Sequence, residues 1–137
     1  MSPATPHRSS FYISACLLLV CAGAAALTTR AQAPAPSAGD PEAGAEVYRN
    51  VCKECHGGSV APALRGVIGR HIASAPDFDY SDALLAKKDL TWSKDNLDTF
   101  LSSPQDFAPG TEMKKKDLTA QNRADVIAYL ASLPPPN

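Results

Sequence analysis

At 137 residues, the chain is the size of one ordinary domain. Its 13 Lys and Arg face 14 Asp and Glu, so it lacks the basic surplus that binding nucleic acid or an anionic membrane surface normally needs. A hydrophobic content of 45% suffices for a core and excludes a wholly disordered chain, and neither a collagen nor a coiled-coil period is present.

The N-terminal segment reads as an export signal. A short polar start with Arg8 runs into Phe11–Leu27, 17 residues without a charge. Small residues then lead to Ala31-Gln32-Ala33, the spacing of a signal-peptidase site, so residues 1–33 are expected to form a signal peptide. Pro34 would follow a cut after Ala33, which leaves cleavage after Ala26 or Ala31, or retention as an uncleaved anchor, as alternatives. The stretch is slightly shorter than the ~20 apolar residues of a membrane span. Residues 34–39 are a Pro/Ala linker without core-forming side chains, and the folded domain is expected over residues 40–137. Without the leader, 11 basic side chains face 14 acidic ones, and Cys52, Cys55 and Met113 are the cysteines and methionine that remain. The expected location is the periplasm.

Asp40 can cap a helix that begins at Pro41, with Glu42 in its first turn. Gly44, Tyr48 and Val51 recur at helical spacing on one face, and the bare Gly44 would let another helix approach closely. That helix delivers Cys52-Lys53-Glu54-Cys55-His56, a C-x-x-C-H motif. The spacing suits covalent heme attachment: two thiols add to the two vinyl groups, and the adjoining His reaches the iron from the same face. Other uses of the pair fit less well. A thioredoxin-like redox pair normally follows a strand in a βαβ context, and none is visible. A zinc site needs four ligands, and the exported part has no second Cys/His pair. A structural disulfide leaves His56 unexplained. An axial His also needs its other ring nitrogen fixed, usually by donation to a carbonyl. The candidates for the opposite side of the iron are His71 and Met113.

Gly57 to Asp79 shows no period and is punctuated by Gly and Pro. His71 follows a Gly-Arg turn and is expected at the surface. A short helix is predicted over Ser81–Lys88. Ser93 can cap Lys94–Ser102, whose apolar stripe is Leu97, Phe100 and Leu101, and Pro104 follows its end. Met113 closes the rigid turn Pro109-Gly110-Thr111-Glu112-Met113, and its charged neighbours Glu112 and Lys114–Lys116 are a poor setting for a core filler, which favours it as the ligand. Thr119 can cap a last helix, Ala120–Leu133, with Val126, Ile127, Tyr129, Leu130 and Leu133 facing inward. Pro134, Pro135 and Pro136 stop it. No strand is evident. The result is a small all-α domain of 98 residues whose helix stripes need a large apolar partner, and one covalently attached heme c supplies it.

Across residues 39–137 the chain resembles the class I c-type cytochromes, especially mitochondrial cytochrome c and its soluble bacterial relatives. The likeness runs in order through Gly39–Gly44, Tyr48, the C-x-x-C-H motif, Pro62–Arg70, Phe78–Ala83, Thr91-Trp92, Pro109–Met113 and Asp125–Leu130. It implies the monoheme cytochrome c fold, with N- and C-terminal helices crossing and short helices and loops around the heme. It implies His56 and Met113 as axial ligands and Cys52 and Cys55 as attachment points. The carbonyl of Pro62 would accept from His56, and Arg70, Tyr80 and Trp92 would hold a heme propionate. Gly44 and Tyr48 would pack against Val126 and Tyr129. The implied function is electron shuttling through an exposed heme edge, without catalysis. Donor and acceptor would be a membrane quinol-oxidising complex and a terminal oxidase, photosynthetic reaction centre or periplasmic dehydrogenase. A monomer that binds no nucleic acid is implied. The alternative is a heme enzyme or enzyme subunit whose sixth iron position opens to a small ligand.

The sequence departs from the family pattern in three places. The loop between His56 and Pro62 is short, which trims an Ω-loop over one heme edge. Phe100 stands where many members have a Tyr that approaches the Met sulfur. Lys114-Lys115-Lys116-Asp117 replaces the usual apolar stretch after the ligand Met, so that the heme edge there is more open and the three lysines are candidates for a docking patch.

Overall fold

Asp40 starts the first helix. Its carboxylate accepts from the Glu42 and Ala43 amides at 2.8 and 3.4 Å, and Pro41 takes a first-turn position where no amide needs a partner. The computed structural model describes residues 37–135, so the expected signal peptide and the first half of the linker lie outside the described residues.

Helix α1 (Pro41–Val47) continues through a π-helical turn at Tyr48–Cys52 into α2 (Lys53–His56). The Lys53 amide donates to the Tyr48 carbonyl, five residues back, so this turn takes in one residue more than an α turn. The facing position therefore slips along the chain. Val51 was expected on the inward face, but Cys52 packs on the core beside Val47 and Tyr48, with Val51 outside that cluster.

From Gly57 to Tyr80 the chain is a series of turns. It is fastened to residues 90–92 by the Gly69 amide to the Trp92 carbonyl (3.0 Å), the Trp92 amide to the Arg70 carbonyl (2.8 Å) and the Ile72 amide to the Leu90 carbonyl (2.9 Å). Gly69 lies at φ +81°, a conformation that a side chain disfavours. His71 and Thr91 form an isolated bridge, and no strand occurs among the described residues.

Helix α3 (Asp82–Leu85) is shorter than the predicted Ser81–Lys88. Beyond it the amides of Lys87, Lys88 and Leu90 reach back only three residues, so the chain tightens into turns. Helix α4 (Lys94–Ser102) opens at Ser93, whose hydroxyl accepts from the Asn96 amide at 3.0 Å, and it buries Leu97, Phe100 and Leu101. Pro104 does more than follow its end: it begins α5 (Pro104–Phe107), where its lack of an amide costs nothing. Helix α6 (Ala120–Ser132) begins with a capping box between Thr119 and Asn122.

α1 and α6 cross at glycine. A Cβ on Gly44 would stand 2.0 Å from the Asp125 carbonyl oxygen, and one on Gly39 2.0 Å from that of Ala124. Tyr48 and Tyr129 close the crossing with ring centroids 5.4 Å apart. Asp125 is buried in it and accepts from the Asp40 amide and the Gln121 side chain, both at 2.8 Å. Trp92 meets Phe100 and Phe107 at 5.0 and 5.9 Å between centroids, forming the aromatic part of the core.

Candidate heme site

His56 ends α2, and its Nδ1 donates to the carbonyl of Pro62 at 2.7 Å. A carbonyl only accepts, so the proton is on Nδ1 and the Nε2 lone pair is left for a metal. Burial pushes the imidazole below its ordinary range and keeps it neutral; the hydrogen bond to Pro62 pulls the other way. Cys52 and Cys55, one helical turn apart, are half-buried and are not joined in a disulfide. Burial raises the Cys52 thiol, while the ammonium of Lys116 acts on it in the opposite sense.

Met113 lies half-buried on the far side in sequence, packed on the same hydrophobic cluster as Cys52, Tyr80 and Trp92. The turn before it bends at Gly110, φ +95°, and is bracketed by one side chain. Gln105 accepts from the Gly110 amide at 3.1 Å and donates to the Thr111 carbonyl at 2.7 Å. Arg70 donates to the Ala63 carbonyl at 3.2 Å, which sets its guanidinium beside the loop that fixes His56. The Tyr80 hydroxyl accepts from the Ala75 amide at 3.4 Å, and the ring packs edge-on against Phe78 at 4.9 Å. Trp92 is buried, whereas His71 is exposed. A cleft of about 310 Å³ opens between Gly58–Ala63 and Ala75–Phe78, with Arg65 and Arg70 on its wall.

The donor set fits a heme. Two thiols at attachment spacing and a neutral imidazole with a free Nε2 belong to one helical turn, and a thioether sulfur lies on the cluster they border. Two further observations support the fit. The hydroxyls of Ser81 and Thr111 are buried with no protein partner, as expected of groups that meet the polar edge of a bound molecule. Neither was singled out by sequence reasoning, nor was the Gln105 bracket, because a hydroxyl or amide announces nothing until its surroundings are known. Asp125 carried a signal, a charge among the apolar residues of α6.

The family model for cytochrome c matches residues 41–134. The chain belongs to the cytochrome c family. The "Cytochrome c-type cyt cy" of Rhodobacter capsulatus is 43% identical over 107 residues, covering 74% of this chain and 53% of that relative, so the chain spans about half of its length. Cytochrome c2 of Rhodomicrobium vannielii is 42% identical over 107 residues, covering 73% of this chain and 84% of the relative. Among solved structures, cytochrome cH from Methylobacterium extorquens superposes with a TM-score of 0.62 at 34% identity, covering 69% of this chain and 99% of that one. This cytochrome c therefore has the family's helical fold and its covalently attached heme c. It is an electron carrier and not an enzyme.

Proposed function

We propose that this cytochrome c is a periplasmic monoheme shuttle with His56 and Met113 as the axial ligands and Cys52 and Cys55 as the thioether anchors. The observation that carries the reading is the His56 Nδ1 donation to Pro62 at 2.7 Å, which aims a neutral imidazole through Nε2. Bound heme supplies a one-electron iron couple, whose potential Met ligation and apolar burial raise. The chain's own residues do the rest. The Pro62 carbonyl fixes the His56 ring, and the turn ending at Met113 presents the thioether. Arg70, Tyr80 and Trp92 would hold the propionate edge, and the partnerless hydroxyls of Ser81 and Thr111 would be free to join them. No residue needs to move a proton. Electrons enter from a membrane quinol-oxidising complex and leave to a terminal oxidase, photosynthetic reaction centre or periplasmic dehydrogenase.

Absorption spectroscopy of the exported protein tests the ligation. A pyridine hemochrome spectrum with both vinyl groups consumed and a Met–Fe(III) charge-transfer band are expected, with the band lost in Met113→Ala. Rapid binding of carbon monoxide by the reduced protein would overturn Met113 as a ligand.

A further inference from the structure

Met113 is held unequally on its two sides. Upstream, the Gln105 amide brackets Gly110 and Thr111, and the Thr111 amide donates to the Ala108 carbonyl at 2.9 Å. Downstream, the Lys116 carbonyl accepts from the nearby Leu118 amide at 2.9 Å, and among the described residues a single side-chain bond ties residues 114–117 to a distant part of the chain. Lys116 Nζ meets Glu54 Oε2 at 3.4 Å, across 62 positions of sequence. Beyond the run, the Leu118 carbonyl accepts from Arg123 of α6 at 3.2 Å. Lys114, Lys115 and Asp117 are exposed, and Lys116 alone in this run is half-buried. Glu54 belongs to the attachment motif, between Cys52 and Cys55 and two residues before His56.

We propose that the Lys116–Glu54 ion pair is a latch that positions Met113. It ties the segment carrying one axial ligand to the helical turn carrying the other, where the family's usual apolar stretch is replaced by lysines. The proposal rests on the reading of His56 and Met113 as ligands. Lys116 and Glu54 do not touch the iron and act only through Met113. An exposed ion pair contributes little to global stability, because water screens it and two long side chains must be ordered. Here the same small energy bears on a local opening, since among the described residues no other hydrogen bond or ion pair ties residues 114–117 to a distant element. The expected effect on that opening is about two- to fivefold.

Exogenous imidazole measures the opening, because it occupies ferric iron only when Met113 has left. Glu54→Gln and Lys116→Gln should each tighten imidazole binding about two- to fivefold, and the double variant no further than either single one. The swapped pair Glu54→Lys with Lys116→Glu should return towards the unaltered protein. Lys115→Gln, with the same charge change outside the pair, should leave binding unchanged. If the unaltered protein lacks the Met–Fe(III) charge-transfer band, the ligand reading fails and the latch with it. If the band is present but the variants bind imidazole as the unaltered protein does, or the two single effects add, the latch is wrong and the ligation stands. An equal effect from Lys115→Gln would also overturn it, leaving only a field effect.

Discussion

Gln105 is exposed at the start of α5, yet its amide uses both ends, accepting from the Gly110 amide at 3.1 Å and donating to the Thr111 carbonyl at 2.7 Å. Each such bond is worth about 1 kcal/mol net, and together they fix the turn two residues before Met113. Gln105→Ala should therefore speed hydrogen exchange of the Gly110 amide about fivefold or more. The Thr111 amide, bonded to the Ala108 carbonyl instead, should keep most of its protection. Equal acceleration of both amides would mean that the whole turn had come loose and that Gln105 is no local bracket. The His56 motif was legible because its chemistry requires a fixed spacing along the chain. Gln105, Ser81 and Thr111 were not, because their partners are set by the folded geometry around Met113.

At the level of elements, the helix crossing was readable and its details were not. Gly44 stood out as a gap on a helical face, and a Cβ there would stand 2.0 Å from the Asp125 carbonyl oxygen, a backbone atom that cannot swing aside. Gly44→Ala gains about 1 kcal/mol of helix propensity and loses more to the forced separation of α1 and α6, so denaturant unfolding should show a net loss of about 2 kcal/mol. Gly58→Ala is the control, because nothing lies within 4 Å of a Cβ there, and its stability should be unchanged or slightly improved. Similar losses at both glycines would argue against the close crossing. Gly39 makes an equally tight approach to α6, but it precedes the helix and so carried no periodic signal. The π turn at Tyr48–Cys52 defeated the spacing argument for Val51 for a related reason. A 3.6-residue period holds only while each amide reaches back four residues, and the Lys53 amide reaches back five.

For the molecule as a whole, charge decides how it meets a partner. Residues 34–137 carry 11 basic and 14 acidic side chains, so at long range they repel anions slightly. Next to the latch in sequence stand Lys53 and Lys114–Lys116 with Glu54, Glu112 and Asp117, four cations and three carboxylates. Steering that accelerates association by about 10- to 1000-fold needs a surface of one sign, and this neighbourhood is nearly balanced. The local excess and the overall deficit also oppose each other. The Debye length is about 10 Å at 0.1 M salt, so added salt removes the distant repulsion before the nearby attraction. The second-order rate of oxidation by a small anionic oxidant should accordingly change by less than about threefold between about 10 mM and 0.5 M salt. Replacing both exposed lysines, Lys114→Gln with Lys115→Gln, leaves only repulsion, so that variant's rate should rise with salt. Stopped-flow oxidation of the reduced protein reads both slopes. A steep fall with salt in the unaltered protein would show that the three lysines form a dominant basic docking patch despite their acidic neighbours.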